Sequence, residues 1–156
     1  NVFNISIDGN FDDCQSLVKQ ILVDKHLKNN FNIASINSIN WCRVLAQVIY
    51  YFYSAFKVRN GSKHINFSVP TGNFGDAYAG YIAKKMGLPI NKIIVSTNSN
   101  DILARFFNTG EYRVSRVVST LSPSMDIQVA SNFERLLFEI IGNDFGLVKK
   151  YMNVKI

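Results

Sequence analysis

The stretch Ser-Val-Pro-Thr-Gly-Asn-Phe-Gly-Asp, residues 68–76, separates two hydrophobic periodicities. Before it, apolar and polar side chains alternate over residues 64–69, which is the period of a β-strand. After it, apolar side chains between residues 79 and 86 recur at the three- and four-residue spacings of a helix. The sequence therefore predicts a strand, a glycine-containing turn and a helix in direct succession.

Gly72 and Gly75 make this turn a candidate anion site. Because glycine has no Cβ, the backbone can take positive φ here and come close to a ligand. The helix that follows presents unpaired N–H groups and the positive end of its dipole, a combination that suits phosphate. The alternative is an ordinary turn in which Asn73 or Asp76 caps the helix and the glycines relieve strain.

Strand and helix patterns alternate along the chain. Strand patterns begin near residues 2, 33, 64 and 92, and a helical pattern follows each of them. A spacing of about 30 residues with a helix in each connection is typical of parallel strands in an open sheet. The sequence predicts one α/β domain over residues 1–156, with an open, mostly parallel, Rossmann-like sheet and helices on both faces.

Three other regions give more local predictions. Asn10 is expected to cap a first helix, and the longest helix, after Asn40, has an apolar surface wide enough to predict that it is largely buried. Residues 113–120 are expected to form an edge strand. Further helices are predicted from residue 132 and over residues 144–156.

Composition excludes several classes of protein. With 47% hydrophobic and 18% charged residues, the chain is neither disordered nor fibrous. The net charge of +6 comes from scattered residues with two basic doublets, at 84–85 and 149–150, which argues against a nucleic-acid partner. Cys14 and Cys42 fit no metal site or disulfide spacing and are expected to be buried thiols. With no apolar run long enough to span a bilayer, we expect a cytoplasmic protein without a membrane partner.

Polar turns follow all four predicted strands. In a parallel sheet the carboxyl ends of the strands share one edge, and ligands bind outside that edge. The turns at residues 8–10 and 97–100 are expected to act as helix caps. The turns at residues 37–40 and 71–76 are expected to carry function, since they combine several donors and acceptors.

The loop at residues 70–76, with residues 79–81 and 84–89 after it, resembles the cofactor-phosphate loop and helix of threonine synthases. These enzymes use pyridoxal phosphate and belong to fold type II, and Phe74 is the residue that marks the threonine synthase branch. Other blocks of the chain resemble the same family in the same order: residues 11–19, 37–47, 97–106, 121–127 and 131–136.

The resemblance implies a fold like the β-subunit of tryptophan synthase, with pyridoxal phosphate as the cofactor. It implies conversion of O-phosphohomoserine and water to L-threonine and phosphate. The backbone N–H groups of Gly72, Asn73, Phe74 and Gly75 are expected to bind the cofactor phosphate, and Asp76 is expected to cap the helix behind them.

Ser38, Asn40 and Arg43 are the expected substrate-binding residues, because a hydroxyl, an amide and a guanidinium suit a phosphate or carboxylate. The alternative for Arg43 is a surface side chain that packs its stem on a buried helix. Further candidates are Ser122, Ser124 and Asp126.

Two motifs of the family are missing. Threonine synthases hold the cofactor as a Schiff base on a lysine in a Phe-Lys-Asp context, and no such lysine occurs here; Lys57 lies in Phe-Lys-Val. The Thr-Ala-His-Pro-Ala-Lys segment is also absent. The chain is therefore expected to be the central part of a longer protein, inactive alone and without a catalytic residue of its own. The alternatives are a phosphate-binding module without activity and a different fold type II lyase.

Overall fold

The computed structural model describes residues 2–58, 60–61 and 63–153, which fall into two compact units. One unit ends at Ser35 and the other begins at Ile36. Each is described by itself below. A single domain over residues 1–156 remains a prediction.

The first unit contains two helices, α1 (Phe11–Val23) and α2 (Lys25–Asn30). Asn10 caps α1 as predicted: its Oδ1 accepts from Asp12 N at 2.8 Å, and its own N–H donates to Asp13 Oδ2 at 2.8 Å. The sequence reading missed α2, which Asp24 caps by accepting from Leu27 N at 2.8 Å. The cap restarts a helix in a polar segment that lacks an apolar stripe.

The strands predicted near residues 2 and 33 are not formed. Residues 2–7 and 32–36 have no regular secondary structure, and most of their side chains are exposed. Alternating apolar residues fit a strand, but a strand also needs a hydrogen-bonded neighbour, and the described residues supply none to these segments. The prediction of strands at these two places is wrong for the structure described.

The second unit has the order of an α/β fold, which confirms that prediction. Its elements are α3 (Trp41–Val58), β1 (Ile65–Pro70), α4 (Gly75–Lys85), β2 (Ile90–Ser96), α5 (Ile102–Thr109), a 3-10 turn (Pro123–Met125), α6 (Phe133–Ile140) and α7 (Phe145–Asn153). The predicted last helix extended to residue 156, and residues 154–156 lie outside the described part of the chain.

Strands β1 and β2 form a parallel sheet, as predicted, and α4 connects them. Phe67 pairs with Ile93 and Val69 with Val95, so these four side chains share one face of the sheet. The helix α3 packs against this face, where the Tyr51 ring meets Phe67 edge-on at 4.8 Å between centroids.

The opposite face of the sheet is exposed among the described residues. Asn66, Ser68 and Ile94 lie there, and the side chain of Ile94 is 50% exposed. Helices on both faces therefore remain a prediction.

The core lies between the covered face of the sheet and the helices α3, α4, α5 and α6. In α3 the buried positions are Val44, Val48, Tyr51 and Ala55, whereas Leu45 on the predicted apolar stripe is 45% exposed. The described residues cover only one side of this helix, so the prediction that it is largely buried is wrong here. Cys42 lies on the exposed side, and the expectation of a buried thiol is also wrong for it.

Residues 113–120 do not form the predicted edge strand. Their backbone binds a side chain instead: Val118 N donates to Asn100 Oδ1 and Val118 O accepts from Asn100 Nδ2, both at 2.8 Å. The segment is thereby held to the turn after β2 without a ladder of backbone hydrogen bonds.

None of the helices in the described ranges combines the length and apolar character that crossing a membrane requires.

Candidate functional site

The glycine turn lies between the end of β1 and the start of α4, at the carboxyl end of a parallel strand as predicted. The backbone conformation differs from the expectation. Gly72 and Gly75 do not take positive φ; Phe74 does, with φ of 65°. Its ring is buried and packs on Phe107 and Phe133, at 6.0 and 5.9 Å between centroids. This aromatic packing stabilises a left-handed conformation that a non-glycine residue rarely adopts.

The glycines are needed for close packing. A Cβ on Gly72 would lie 3.0 Å from both Met125 Cα and Ile127 Cδ1. A Cβ on Gly75 would lie 3.1 Å from Asn132 Nδ2. The turn therefore has a wall behind it, formed by segments more than fifty residues further along the chain.

Thr71 organises the turn from inside. Its Oγ1 donates to Asp76 Oδ1 at 2.5 Å and accepts from Phe74 N at 3.1 Å. Asp76 Oδ1 also accepts from Ala77 N at 2.8 Å. The N-cap position of α4 is Phe74, without a side-chain cap, so Asp76 lies inside the first turn and is not the N-cap that was expected. Because the Phe74 N–H already has an acceptor, a ligand at the turn has to share or displace that hydrogen bond.

Four other N–H groups of the turn are available to a ligand. Those of Gly72, Asn73, Gly75 and Asp76 have no hydrogen-bond acceptor within the described part of the chain. They lie at the N-terminus of α4, where the helix dipole adds partial positive charge. A tetrahedral anion such as phosphate can accept hydrogen bonds from N–H groups arranged in this way.

The side chain of Asn73 is committed to the protein. Its Nδ2 donates to Ser38 Oγ, and its Oδ1 accepts from Ser131 N at 2.5 Å. The Asn73 side chain thus holds the Ser38 turn and the Ser131 backbone, and its backbone N–H remains available to a ligand. The same contacts place the turn containing Ser38 beside the glycine turn, as predicted, although the strand predicted before Ser38 is not formed.

A cavity of about 320 Å³ opens between these two turns. Most of the predicted site residues line it, together with one residue named only as a further candidate, Ser124. The lining consists of Ser38, Arg43, Gln47, Pro70, Gly72, Asn73, Gly75, Asp76, Ser124 and Met125.

Arg43 is the cation of this cavity. Its side chain is exposed, and its Nη1 donates to Ile36 O at 3.4 Å. A guanidinium at the rim of a cavity that already presents N–H groups adds to its affinity for anions.

Asn40, Ser122 and Asp126 are not among the residues that line the cavity. Asn40 Oδ1 accepts from Cys42 N at 2.8 Å and so caps α3. Its predicted contact with substrate has no support from this position and stays a prediction.

Asp126 is buried in a network of its own. Its carboxylate accepts from Thr120 Oγ1 at 2.6 Å, from Asn98 Nδ2 at 2.8 Å and from Asn100 Nδ2 at 3.0 Å. These hydrogen bonds, led by the one from Thr120, hold the pKa of Asp126 below its ordinary value, although burial works in the opposite direction. The network joins the turn after β2 to the segment that carries Met125 and Ile127.

Sequence reasoning missed Asn132, which is fully buried behind the glycine turn. Its Nδ2 donates to Ser38 O at 2.9 Å and to Asn73 O at 3.2 Å. The only signal in the sequence was its place in the block at residues 131–136, which the family resemblance covers.

No metal ligand set accompanies the site. Across residues 2–58, 60–61 and 63–153, no three His, Cys, Asp or Glu side chains are grouped to hold a metal ion.

The fold and the cavity define a class of protein: an α/β domain with a turn of available N–H donors at the carboxyl edge of its parallel sheet, the place where phosphate-bearing cofactors bind in such folds. Within that class the chain is similar to threonine synthases. It is 56% identical over 141 residues to threonine synthase of Saccharomyces cerevisiae, covering 88% of this chain and 27% of the yeast protein. It is 50% identical over 153 residues to threonine synthase of Pseudomonas aeruginosa, covering 98% of this chain and 33% of that protein.

Solved structures agree with this similarity. A pyridoxal-phosphate-bound threonine synthase from Brucella melitensis matches with a TM-score of 0.80 and 52% identity, over 94% of this chain and 32% of that one. No protein-family model matches the chain. The resemblance predicted from the motifs is confirmed. The chain spans about a third of the length of the curated relatives it matches.

Proposed function

We propose that this chain is the cofactor-phosphate-binding part of a threonine synthase, a cytoplasmic enzyme of fold type II. The reaction is conversion of O-phosphohomoserine and water to L-threonine and phosphate. The observation that carries the proposal is the group of four available N–H donors at the glycine turn, in a chain 50% or more identical to threonine synthases of yeast and Pseudomonas aeruginosa.

The residues present fit the phosphate of pyridoxal phosphate. Gly72, Asn73, Gly75 and Asp76 supply N–H donors, and the absence of a side chain at residues 72 and 75 keeps the wall of the turn closely packed. Phe74 contributes its N–H only by sharing it with Thr71 Oγ1. When bound, pyridoxal phosphate supplies the electron sink for elimination and water addition. The role of this chain is to hold and orient its phosphate.

Substrate contacts are proposed for the side chains that face the same cavity. Arg43 offers a guanidinium and Ser38 and Ser124 offer hydroxyls, which suit the phosphate or carboxylate of O-phosphohomoserine. Asn40 is the weakest of the predicted contacts, because its side-chain oxygen caps α3.

Two other functions make different predictions. A phosphate-binding module without activity would bind phosphate at the turn and turn over nothing. A different fold type II lyase would act on serine or cysteine derivatives. Phe74 and the block at residues 37–47 favour threonine synthase over that second alternative.

The test is an activity assay on the protein expressed from its complete gene and loaded with pyridoxal phosphate. We expect release of inorganic phosphate from O-phosphohomoserine with formation of threonine in equal amount, and no turnover of serine at a comparable rate. Phosphate binding without threonine formation would support the inactive module. Turnover of serine in preference to O-phosphohomoserine would support a different lyase.

A further inference from the structure

Asn132 is a buried side chain that contacts both loops of the cavity from behind. Asn132 is 0% exposed, and it lies directly before α6, far from both loops in sequence. Its Nδ2 donates to Ser38 O at 2.9 Å and to Asn73 O at 3.2 Å, so a single amide group joins the two turns. Its backbone N–H adds a second donation to Asn73 O at 3.2 Å.

Asn132 is itself held in place. Arg135, one turn further along, donates from Nε to Asn132 Oδ1 at 3.1 Å and from Nη2 to Ile39 O at 2.9 Å. The guanidinium thus fixes which way the amide of Asn132 points and binds the Ser38 turn a second time. Trp41 covers Arg135, with the guanidinium carbon 5.4 Å from the centre of the indole ring.

The position of Asn132 also limits the size of the side chain at residue 75 and the direction of the carbonyl of Asn73. A Cβ on Gly75 would lie 3.1 Å from Asn132 Nδ2, so the turn is packed directly on this amide. With Asn73 O accepting from Asn132 on the far side, the carbonyl of residue 73 is directed away from the cavity. An anion at the turn is thereby spared repulsion from that carbonyl oxygen, because backbone carbonyls are acceptors only.

We propose that Asn132 is a positioning residue for the anion site: it holds the Ser38 turn and the glycine turn in the relative geometry that leaves the N–H donors available. This proposal rests on the proposed function only for the identity of the anion, which is the phosphate of the cofactor. The positioning role of Asn132 follows from the hydrogen bonds within this chain. Asn132 touches no ligand and acts through Asn73 and Ser38.

The test replaces the donor with an acceptor of the same shape. In N132D an oxygen stands where Nδ2 stood, facing two carbonyl oxygens at 2.9 and 3.2 Å. The protein expressed from its complete gene is first freed of pyridoxal phosphate. Its affinity for inorganic phosphate and for sulfate, measured by calorimetry, should then fall by at least about tenfold in N132D, the effect of a buried hydrogen bond replaced by repulsion.

A matched control separates positioning from general loss of stability. Leu88 is buried in the core beyond the other end of α4, and L88A should lower Tm without weakening phosphate binding. Phosphate should raise the Tm of the wild type and of L88A by the same amount through mass action, and should raise that of N132D much less. If N132D does not fold, R135A replaces it, and an affinity loss of about threefold is expected from the freed amide.

The inference would be overturned by phosphate affinity in folded N132D within about twofold of the wild type, by an equal loss in L88A, or by unchanged affinity in R135A where N132D is unfolded. Absence of phosphate binding at the turn in the wild type would overturn it too. Failure of the proposed function is a different result, namely intact phosphate binding that depends on Asn132 in a protein that makes no threonine.

Discussion

Gly72 has no room for a side chain, and this gives the sharpest prediction at the scale of single residues. G72V should abolish phosphate binding, because its Cβ would meet Met125 Cα and Ile127 Cδ1 at 3.0 Å and push the turn away from its wall. K84A is the control: Lys84 lies near the end of α4, and its Nζ donates to Asn91 O at 3.1 Å, so phosphate affinity should not change. Calorimetry on both variants checks this, and full affinity in folded G72V would contradict it.

Single residues also show where the sequence was informative. The change from a two-residue to a helical hydrophobic periodicity predicted where the glycine turn lies, and the structure has the turn at that position. The sequence could not show that Phe74 carries the positive φ, because that depends on aromatic rings at positions 107 and 133. It could not assign a role to Asn132 either, since a buried asparagine is recognised only by the acceptors it meets in three dimensions.

At the level of the helices, the close packing of α3 on α4 predicts that alanine at Gly80 lowers stability, whereas helix propensity alone predicts that it raises stability. Alanine normally stabilises a helix relative to glycine by about 1 kcal/mol. At Gly80, however, a Cβ would lie 2.6 Å from the ring of Tyr51, whose hydroxyl donates to Asp76 O at 2.7 Å. We expect G80A to destabilise the protein by about 1–3 kcal/mol through overpacking, measured by urea unfolding. A variant as stable as the wild type would show that the two helices are not so close.

The network around Asp126 predicts how stability depends on pH. The pKa of this carboxyl is lowered, first by the hydrogen bond from Thr120 and then by those from Asn98 and Asn100, so folding favours the charged form. Such a group contributes stability above its unfolded pKa of about 3.9, and the contribution is lost as pH falls through the lower folded pKa. Thermal unfolding of D126N should therefore depend less steeply on pH below about pH 4 than that of the wild type. If Tm falls equally steeply with pH in D126N and the wild type, Asp126 is not the source of this pH dependence.

Elements were predicted unevenly for a physical reason. The pair β1 and β2 with α4 between them was predicted from local patterns, because each strand pairs with the next one along the chain. The strands expected near residues 2 and 33 fit the same pattern but have no partner among the described residues. The segment at residues 113–120 binds the side chain of Asn100, which no periodicity encodes. Hydrophobic periodicity predicts where a strand can form, and a strand forms there only if a neighbouring strand is available to hydrogen-bond with it.

At the scale of the whole molecule, the 156-residue chain alone should bind the cofactor without forming a covalent bond to it. It contains no lysine in a Phe-Lys-Asp context, Lys57 lies over the ring of Tyr53 at 5.8 Å, and Lys84 is at the far end of α4. Borohydride treatment in the presence of pyridoxal phosphate should leave no stoichiometric adduct by mass spectrometry, and O-phosphohomoserine should release no phosphate. An adduct on one defined lysine would contradict this.

We expect the glycine turn to bind the anion through its own backbone N–H groups, and amide chemical shifts measure this residue by residue. Inorganic phosphate is titrated into the isotope-labelled protein while the backbone N–H signals are followed. The largest shifts should fall on Gly72, Asn73, Gly75 and Asp76, whose N–H groups have no acceptor in the described part of the chain. Shifts that cluster instead at Lys84, Lys85 or Lys149 would show that phosphate binds surface charge and does not bind the glycine turn.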